Sequence, residues 1–187
     1  MNAELPPLEP LREVARRLDT AEIQWALGGS ALMHALGLVD VVRDWDLTVD
    51  ISQDAAHDAL RDLTPTLHDN FGIHADHKVV CFDGTVEVIC QFAFFRPHGG
   101  SGVIRIPTIV TGMWNGFPIG SPEAWAVAYA LMIGEKPGRA EKADALFTWA
   151  REHGDAQRLA IMLAEPVPEE IAARLRELVR ERGTARG

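Results

Sequence analysis

The chain has 187 residues, a length typical of one domain with a helical extension, and it can bury a sizeable core without metal or disulfide staples. Hydrophobic residues make up 47% and charged residues 24%, a balance that excludes a disordered protein. The net charge of −9 argues against a protein that coats nucleic acid or anionic membrane through its overall charge, and it suits a cationic substrate.

The N-terminus and the cysteines indicate a cellular compartment. The first residues, MNAELPPLEP, lack the basic and apolar regions of a signal peptide, and the longest apolar run, 124–134, is too short to cross a bilayer. Two cysteines, Cys81 and Cys90, are too few for a disulfide scaffold. We therefore expect a cytoplasmic protein that does not span a membrane.

The first part of the chain alternates helices with strands. Amphipathic spacing predicts the helices, and short apolar or strictly alternating runs predict the strands. Ser30 and Ser52 are expected to be N-caps, because a serine side chain accepts hydrogen bonds from the free N–H groups of a first helical turn. The predicted elements are a helix over 8–18, a strand over 23–27, a helix from 30 to about 38, a strand over 45–51 and a helix over 52–63.

A β-hairpin is predicted next, with strands over 73–82 and 85–95. Asp83-Gly84 between two such runs is a strong signal for a two-residue turn. If the turn has two residues, the pairing of the strands follows by counting. The expected partners are Val80 with Glu87, Lys78 with Ile89, Cys81 with Val86 and His77 with Cys90.

The last part of the chain is predicted to be helical. An extended segment over 103–110 and a tight turn at Asn115-Gly116 precede it. Ser121-Pro122-Glu123 then supplies an N-cap, a proline suited to the first helical position and an acid in the first turn. The predicted helices span about 122–133, 139–153, 155–164 and 168–182.

This order of elements predicts an α+β fold. We expect a small mixed β-sheet flanked by helices, with a C-terminal helical segment, because the chain has no βαβαβ run long enough for a doubly wound sheet. The predicted domains are a core over 1–120 and a helical segment over 121–187 that packs on it.

The sequence Gly28-Gly29-Ser30 lies between a predicted strand and a predicted helix. Glycines at such a junction let backbone N–H groups approach an anion closely, and the helix N-terminus adds a partial positive charge. The hydroxyl of Ser30 is a further donor. The pattern indicates a phosphate-binding turn, although Gly-Gly turns before helices are also common without a ligand.

Carboxylates on two predicted strands form the second candidate feature. Asp44 and Asp46 lie two residues apart at the head of a strand, so their side chains share one face. Their mutual repulsion would be relieved by a divalent cation, and Mg²⁺ favours one or two carboxylates together with phosphate oxygens. Glu87 is a third acid that could act as a general base or complete a two-metal site. The alternative is an exposed acidic strand face.

Together these elements resemble the nucleotidyltransferase fold superfamily. Its pattern is a hydrophobic residue with Gly-Gly or Gly-Ser, a spacer, an Asp-hydrophobic-Asp strand and a third acid on a later strand. Here the pattern is Leu27-Gly28-Gly29-Ser30, Asp44-Trp45-Asp46-Leu47 and Glu87. The chain is most similar to the small bacterial branch that includes lincosamide-type antibiotic nucleotidyltransferases and abortive-infection toxin-like nucleotidyltransferases. The residues similar to the helical motif of that branch are Ser121-Pro122-Glu123, Arg139, Lys142 and Asp144.

The resemblance implies an enzyme that depends on Mg²⁺ and uses an NTP as donor. A nucleoside monophosphate would move to an acceptor hydroxyl, and pyrophosphate would leave. Asp44, Asp46 and Glu87 would be the catalytic and metal-binding residues, with two ions during turnover, and Glu87 could instead activate the acceptor. The residues implied to contact the nucleotide are Gly28, Gly29, Ser30, Arg43, Arg139 and Lys142.

The acceptor hydroxyl could belong to a small molecule, an RNA or a protein. The acidic net charge favours a small cationic acceptor, such as an aminoglycoside-like drug, and therefore a role in antibiotic resistance. A protein acceptor, as in toxin–antitoxin pairs, is also open. The alternative function is a catalytically inactive protein of the same fold that binds a nucleotide or a protein partner, for example as a toxin–antitoxin component.

Three further residues have two interpretations each. Lys78 would lie on the Glu87 face, where it could form an ion pair or contact a phosphate. Trp114, beside the Asn-Gly turn, is an exposed candidate for stacking on a base, although tryptophans more often pack in a core. Asp50 lies on the face of Asp44 and Asp46 two pleats further on, as a weaker candidate ligand.

Overall fold

The computed structural model describes residues 4–70, 76–95 and 102–184. These residues form two compact units. One contains the described residues up to Phe95 together with Pro107–Gly120, and the other contains those from 102 to Ile106 together with those from Ser121 onward. Among the described residues, none of the helices combines the length and the apolar character that a membrane crossing requires.

The N-terminal unit consists of a sheet and the helices that cover it. The helices are α1 (Leu8–Thr20), α2 (Gly29–Ala35) and α3 (Gln53–Leu60). The strands of the chain are β1 (Trp25–Leu27), β2 (Trp45–Val49), β3 (Thr66–Asn70), β4 (Asp76–Cys81), β5 (Val86–Cys90), β6 (Ala93–Phe95), β7 (Val103–Arg105, in the C-terminal unit), β8 (Gly112–Trp114) and β9 (Phe117–Ile119).

The main sheet is mixed and has the strand order β3-β4-β5-β2-β1-β9-β8. The pairs β2/β5 and β1/β9 are parallel, and the remaining neighbours are antiparallel. This arrangement confirms the predicted α+β fold with a small mixed sheet flanked by helices.

One face of the sheet is the core of the N-terminal unit. Trp45, Leu47 and Val49 of β2 are fully buried and belong to the same cluster as the apolar faces of α1 and α3. Asp46, between them, points to the opposite face and is half-buried. The predicted inward positions of β2 are therefore confirmed, whereas Thr48, on the face of Asp46, is also buried.

The predicted hairpin register is confirmed. Thr85 N donates to Phe82 O at 3.0 Å across the turn, and Asp83 and Gly84 have φ values of +52° and +89°, as a type I′ turn requires. The observed pairs include Val80 with Glu87, Lys78 with Ile89, Cys81 with Val86 and His77 with Cys90.

Other predicted elements differ from the structure in extent. The segment 85–95 is broken at Gln91, whose φ is +49°, so it forms β5 and β6. In 103–110 only β7 is a strand. Residues 73–75, predicted as strand, lie outside the described residues. The edge strand β3 was not predicted, because its sequence TLHDN has no apolar alternation, and it pairs antiparallel with β4.

Two of the predicted N-caps are confirmed and one is wrong. Ser52 Oγ accepts from Ala55 N, and Ser121 Oγ accepts from Ala124 N. Ser30, by contrast, lies inside α2, because the cap position is taken by the extended residue Gly28.

The C-terminal unit is mainly helical. Its first helix is buried along almost its whole length and starts at the predicted Ser121 cap. The later helices are amphipathic and bury leucines such as Leu146, Leu159 and Leu175. The helices are α4 (Pro122–Leu131), α5 (Arg139–His153), α6 (Ala156–Ala164) and α7 (Glu169–Thr184).

Candidate active site

Two of the predicted acids lie side by side. The neighbouring strands β2 and β5 are parallel, and their register pairs Asp46 directly with Glu87. Register partners on adjacent strands project from the same face of a sheet, with backbones about 5 Å apart. Both side chains are half-buried on the face opposite the core. The sheet thus holds two carboxylates next to each other at the edge of solvent.

The predicted glycine turn lies against this pair. Gly28 N donates to Asp46 O at 2.8 Å, which ties the turn to β2. Gly29 has a left-handed φ of +54°, and a Cβ built on it would lie 2.9 Å from Asp46 Cγ. Any side chain at position 29 would therefore strain the backbone and also displace the Asp46 carboxylate. Glycine at this position is required by both the turn and the acid.

The helix after the turn is short. The helix α2 has seven residues and begins at Gly29, with Ser30 half-buried in its first turn. A helix of this length has a weak macrodipole, so the expected positive charge at its N-terminus contributes little. What the turn offers a phosphate is close approach to backbone N–H groups of the first turn, which have no partner within the helix.

The first acid of the predicted pair sits at the start of β2. Asp44 occupies a bend immediately before the strand and is half-buried, whereas Arg43 is exposed. Trp45 N donates to Thr85 O at 2.9 Å, so the pairing of β2 with the hairpin extends to this end of the strand. The structure places Asp44 at the same end of β2 as the Asp46–Glu87 pair. The role of Arg43 stays a prediction.

A lysine lies beside the third acid. Lys78 Nζ is 2.7 Å from Glu87 Oε2, and the two side chains are 25% and 23% exposed. The register of β4 and β5 puts Lys78 diagonally across from Glu87 on the same face. The ion pair, one of the two alternatives for Lys78, is therefore formed.

The donor chemistry of this face fits a divalent cation that is shared with a substrate. Within 4–70, 76–95 and 102–184, no three His, Cys, Asp or Glu side chains come together as a complete metal cluster. Mg²⁺ does not need one, since it commonly binds through one or two carboxylates, substrate phosphates and water. Asp46 beside Glu87 meets that requirement. The assignment of all three acids to metal stays a prediction.

The predicted nucleotide contacts of the C-terminal unit have a local role there. The Arg139 guanidinium and the Lys142 ammonium lie 5.1 and 5.2 Å from the centroid of the Tyr129 ring. Both distances are within the range of a cation–π interaction. These contacts attach the start of α5 to α4, and a contact of either cation with nucleotide stays a prediction.

Trp114 packs against other aromatic rings, as tryptophans more often do, and a contact with a base stays a prediction. It is half-buried, and its ring centroid lies 5.9 Å from that of Trp45 and 5.6 Å from that of His34. Asp50 likewise supports the fold, because both of its carboxylate oxygens accept from Thr108 N at 3.1 Å. Contacts between segments far apart in sequence decide both roles, so no local pattern could have revealed them.

The acid of the helical motif, Glu123, is fully buried in the C-terminal unit. Its Oε2 accepts from Ser121 Oγ and from Arg158 Nε, and its Oε1 accepts from Asp155 N at 2.8 Å. These bonds join the start of α4 to the start of α6. Glu123 was predicted to lie in the first helical turn and in the helical motif, but its bonds to Asp155 and Arg158, which are distant in sequence, were not predicted.

Solved structures of nucleotidyltransferases have the same arrangement of elements. The solution structure of the antibiotic-resistance factor ANT(2″)-Ia matches with a TM-score of 0.55 and 17% identity over 95% of this chain and 93% of that chain. The crystal structure of ANT(2″)-Ia with adenylyl-2″-tobramycin gives a TM-score of 0.54 and 17% identity over 89% and 95%. The chain has the nucleotidyltransferase fold.

A third structure supports this assignment of the fold. A Thermotoga maritima protein assigned as a nucleotidyltransferase matches with a TM-score of 0.51 and 21% identity over 80% of this chain and 97% of that one. No protein-family model and no curated protein sequence matches the chain. The comparisons therefore show a shared fold, and the reaction of this protein has to be inferred from its own residues.

Proposed function

We propose that this protein is a nucleotidyltransferase that moves a nucleoside monophosphate from an NTP to an acceptor hydroxyl, with release of pyrophosphate. The observation that carries the proposal is the position of Asp46, in register with Glu87 and packed against Gly29. The nucleotidyltransferase fold of the chain supports it.

The roles follow from the chemistry of each group. Asp44 and Asp46 would hold Mg²⁺, which when bound supplies positive charge beside the phosphates. Gly28 and Gly29 let the triphosphate approach the backbone, and the Ser30 hydroxyl is a further donor. In the transfer itself, Glu87 would accept the proton of the attacking hydroxyl or serve as a metal ligand. Such catalysis consists mainly of positioning and charge neutralisation.

The proposed acceptor is a small cationic molecule with hydroxyl groups, of the aminoglycoside type. The net charge of −9 favours a cation over an RNA by long-range attraction. The likeness to ANT(2″)-Ia, whose crystal structure contains adenylyl-2″-tobramycin, extends over 89% of this chain. Antibiotic modification is the corresponding biological role.

A second candidate function is that of an inactive protein of this fold that binds nucleotide and acts through a protein partner. The Lys78–Glu87 ion pair favours it, because an ammonium group 2.7 Å from the third acid competes with the proton or metal that catalysis requires. A toxin–antitoxin component would be one such protein.

The test is a thermal-shift scan of the wild type and Asp46→Asn with each of the four NTPs, with and without Mg²⁺. Binding to the folded state alone stabilises it by about 2.7 kcal/mol at a hundredfold excess over Kd. We expect a Mg²⁺-dependent rise in Tm with at least one NTP, and its loss in the variant.

The nucleotide that binds is then offered with a panel of aminoglycosides while pyrophosphate is measured. Pyrophosphate release that depends on one acceptor supports the proposed function. Binding of Mg·NTP without transfer to any acceptor would favour the second candidate. The absence of any nucleotide-dependent shift in a folded protein would contradict both.

A further inference from the structure

Two like charges lie next to each other on the acidic face of the sheet. Asp46 and Glu87 are register partners, and like charges directly opposite each other destabilise a sheet. Lys78, on the next strand, brings its ammonium to 2.7 Å from Glu87 Oε2. The ammonium group of Lys78 therefore lies beside one of the two acids that the register brings together.

This ion pair is much less exposed than the Arg12–Glu9 pair on the surface of the same unit. In the Arg12–Glu9 pair the side chains are 60% and 79% exposed and 3.6 Å apart, so solvent screens the attraction. In the Lys78–Glu87 pair three quarters of each side chain is covered. Screening is weaker there, and the loss of either partner should have a measurable effect on the other.

We infer that Lys78 is a built-in counter-cation of the site, which neutralises Glu87 in the ligand-free protein and sets how tightly the acids bind a divalent cation. The inference rests on the proposed function, because it assumes that Glu87 serves as a metal ligand together with Asp46. Lys78 has to leave Glu87, or share it, when a divalent cation binds. Its charge lowers the affinity of the site for metal and stabilises the metal-free fold.

The removal of the charge at position 78 should have two opposite consequences. Lys78→Met should bind Mn²⁺ about tenfold more tightly, because the two carboxylates would lack their competing cation. The same variant should have a lower Tm in EDTA, since the repulsion between Asp46 and Glu87 is no longer offset. A residue with only a packing role would lower the Tm without an increase in metal affinity.

The experiment is calorimetric titration of the full chain with Mn²⁺ alone, without nucleotide. The variants are Lys78→Met, Lys78→Gln as a second neutral residue, and Lys78→Arg, which keeps the charge and should bind like the wild type. Arg61→Met is the matched control, because Arg61 is exposed and lies just after α3, the helix that packs on the core face of the sheet. It removes one positive charge far from the acids.

A double-mutant cycle decides whether the effect passes through Glu87. In Glu87→Gln, the further change Lys78→Met should no longer tighten Mn²⁺ binding. If Lys78→Met and Lys78→Gln bind no more tightly than wild type while Asp46→Asn abolishes binding, the metal site stands and the role of Lys78 is refuted. If the wild type and all variants fail to bind Mn²⁺, the inference and the proposed metal site fall together.

Discussion

Glu123 and Asp46 show how differently the two units use a carboxylate. Glu123, in the C-terminal unit, is fully buried and accepts hydrogen bonds from Ser121, Asp155 and Arg158. Asp46, in the N-terminal unit, is half-buried, lies beside another acid and packs against a glycine where any side chain would be strained.

The difference teaches that an acidic residue in a family motif can have either of two functions. A buried carboxylate with donors on both oxygens contributes to stability, because its removal leaves those donors unsatisfied. A half-buried carboxylate that is held next to another one costs stability, and this arrangement is typical of a site that binds a cation. We therefore predict that a change at Glu123 lowers the stability of the protein, whereas a change at Asp46 lowers its activity.

The largest expected effect is the loss of transfer in Asp46→Asn. We expect the rate of pyrophosphate release to fall roughly 100- to 1,000-fold, because one charge of the proposed metal site is lost. The free energy of unfolding should stay within about 0.5 kcal/mol of wild type, since the repulsion from Glu87 also decreases. The measurements are a pyrophosphate-release assay and urea unfolding.

Asp50→Asn is the matched control. Asp50 lies on the same side of the same chain segment, but its carboxylate accepts from Thr108 N, a role that an amide oxygen can also fill. Its activity should stay within about twofold of wild type. If both variants lose activity equally, the activity depends on the overall negative charge of the face and not on Asp46.

Glu123→Ala should show the opposite profile. Without the carboxylate, Arg158 and the N–H of Asp155 lose a buried acceptor, so we expect a loss of about 3 kcal/mol in urea unfolding. Glu177→Ala removes an acid that is half-exposed and 3.7 Å from Arg151, and it should cost less than about 0.5 kcal/mol. If Glu123→Ala were as stable as the wild type, Glu123 would not have the structural role that separates it from Asp46.

The fold was predictable where local rules determine it. The Asp83-Gly84 turn fixes the register of β4 and β5, because the length of a hairpin loop leaves one pairing. The caps Ser52 and Ser121 follow from side-chain chemistry within one helical turn. The edge strand β3 could not be predicted, because its polar sequence is held as a strand by its pairing with β4.

The candidate site residues could be named from the sequence, and their assignment to a site stays a prediction, but their spatial arrangement could not be named. The motifs named Gly29, Asp46 and Glu87, but the parallel pairing that makes Asp46 and Glu87 neighbours joins segments far apart in sequence. The Ser30 cap was wrong because the hydrogen bond from Gly28 N to Asp46 O places the cap two residues earlier in the chain. Where a tertiary contact fixes the backbone conformation, it overrides the conformational preference of the local sequence.

A smaller effect is expected from Gly29→Ala. The left-handed φ of Gly29 should cost about 1 kcal/mol with any side chain, and the new methyl group should also displace the Asp46 carboxylate. Gly37→Ala is the matched control, because Gly37 has a φ of +74° and nothing near its Cα that a Cβ would meet. Both variants should lose similar stability, but only Gly29→Ala should lose the Mg·NTP thermal shift. Equal nucleotide responses would show that Asp46 tolerates displacement.

The smallest effect concerns Glu13, a half-buried acid of α1 that forms ion pairs with two arginines. Hydrogen bonds from Arg16, and then from Arg17, lower the pKa of Glu13 from 4.5 to about 2. Its ionised form stabilises the fold fully above pH 4.5, where the unfolded chain is also ionised, and this contribution is lost as the pH falls to about 2.

Glu13→Gln isolates that contribution from the other carboxylates. The difference in urea midpoint between the wild type and this variant should be small at pH 6 and smaller at pH 3. It should also shrink in high salt, because salt screens ion pairs that lie partly in solvent. A difference independent of pH would mean that Glu13 acts through packing. A small effect would show that a strongly lowered pKa, as at Glu13, does not by itself indicate an important acid. The distinction between Glu123 and Asp46 would then depend on their contacts and burial.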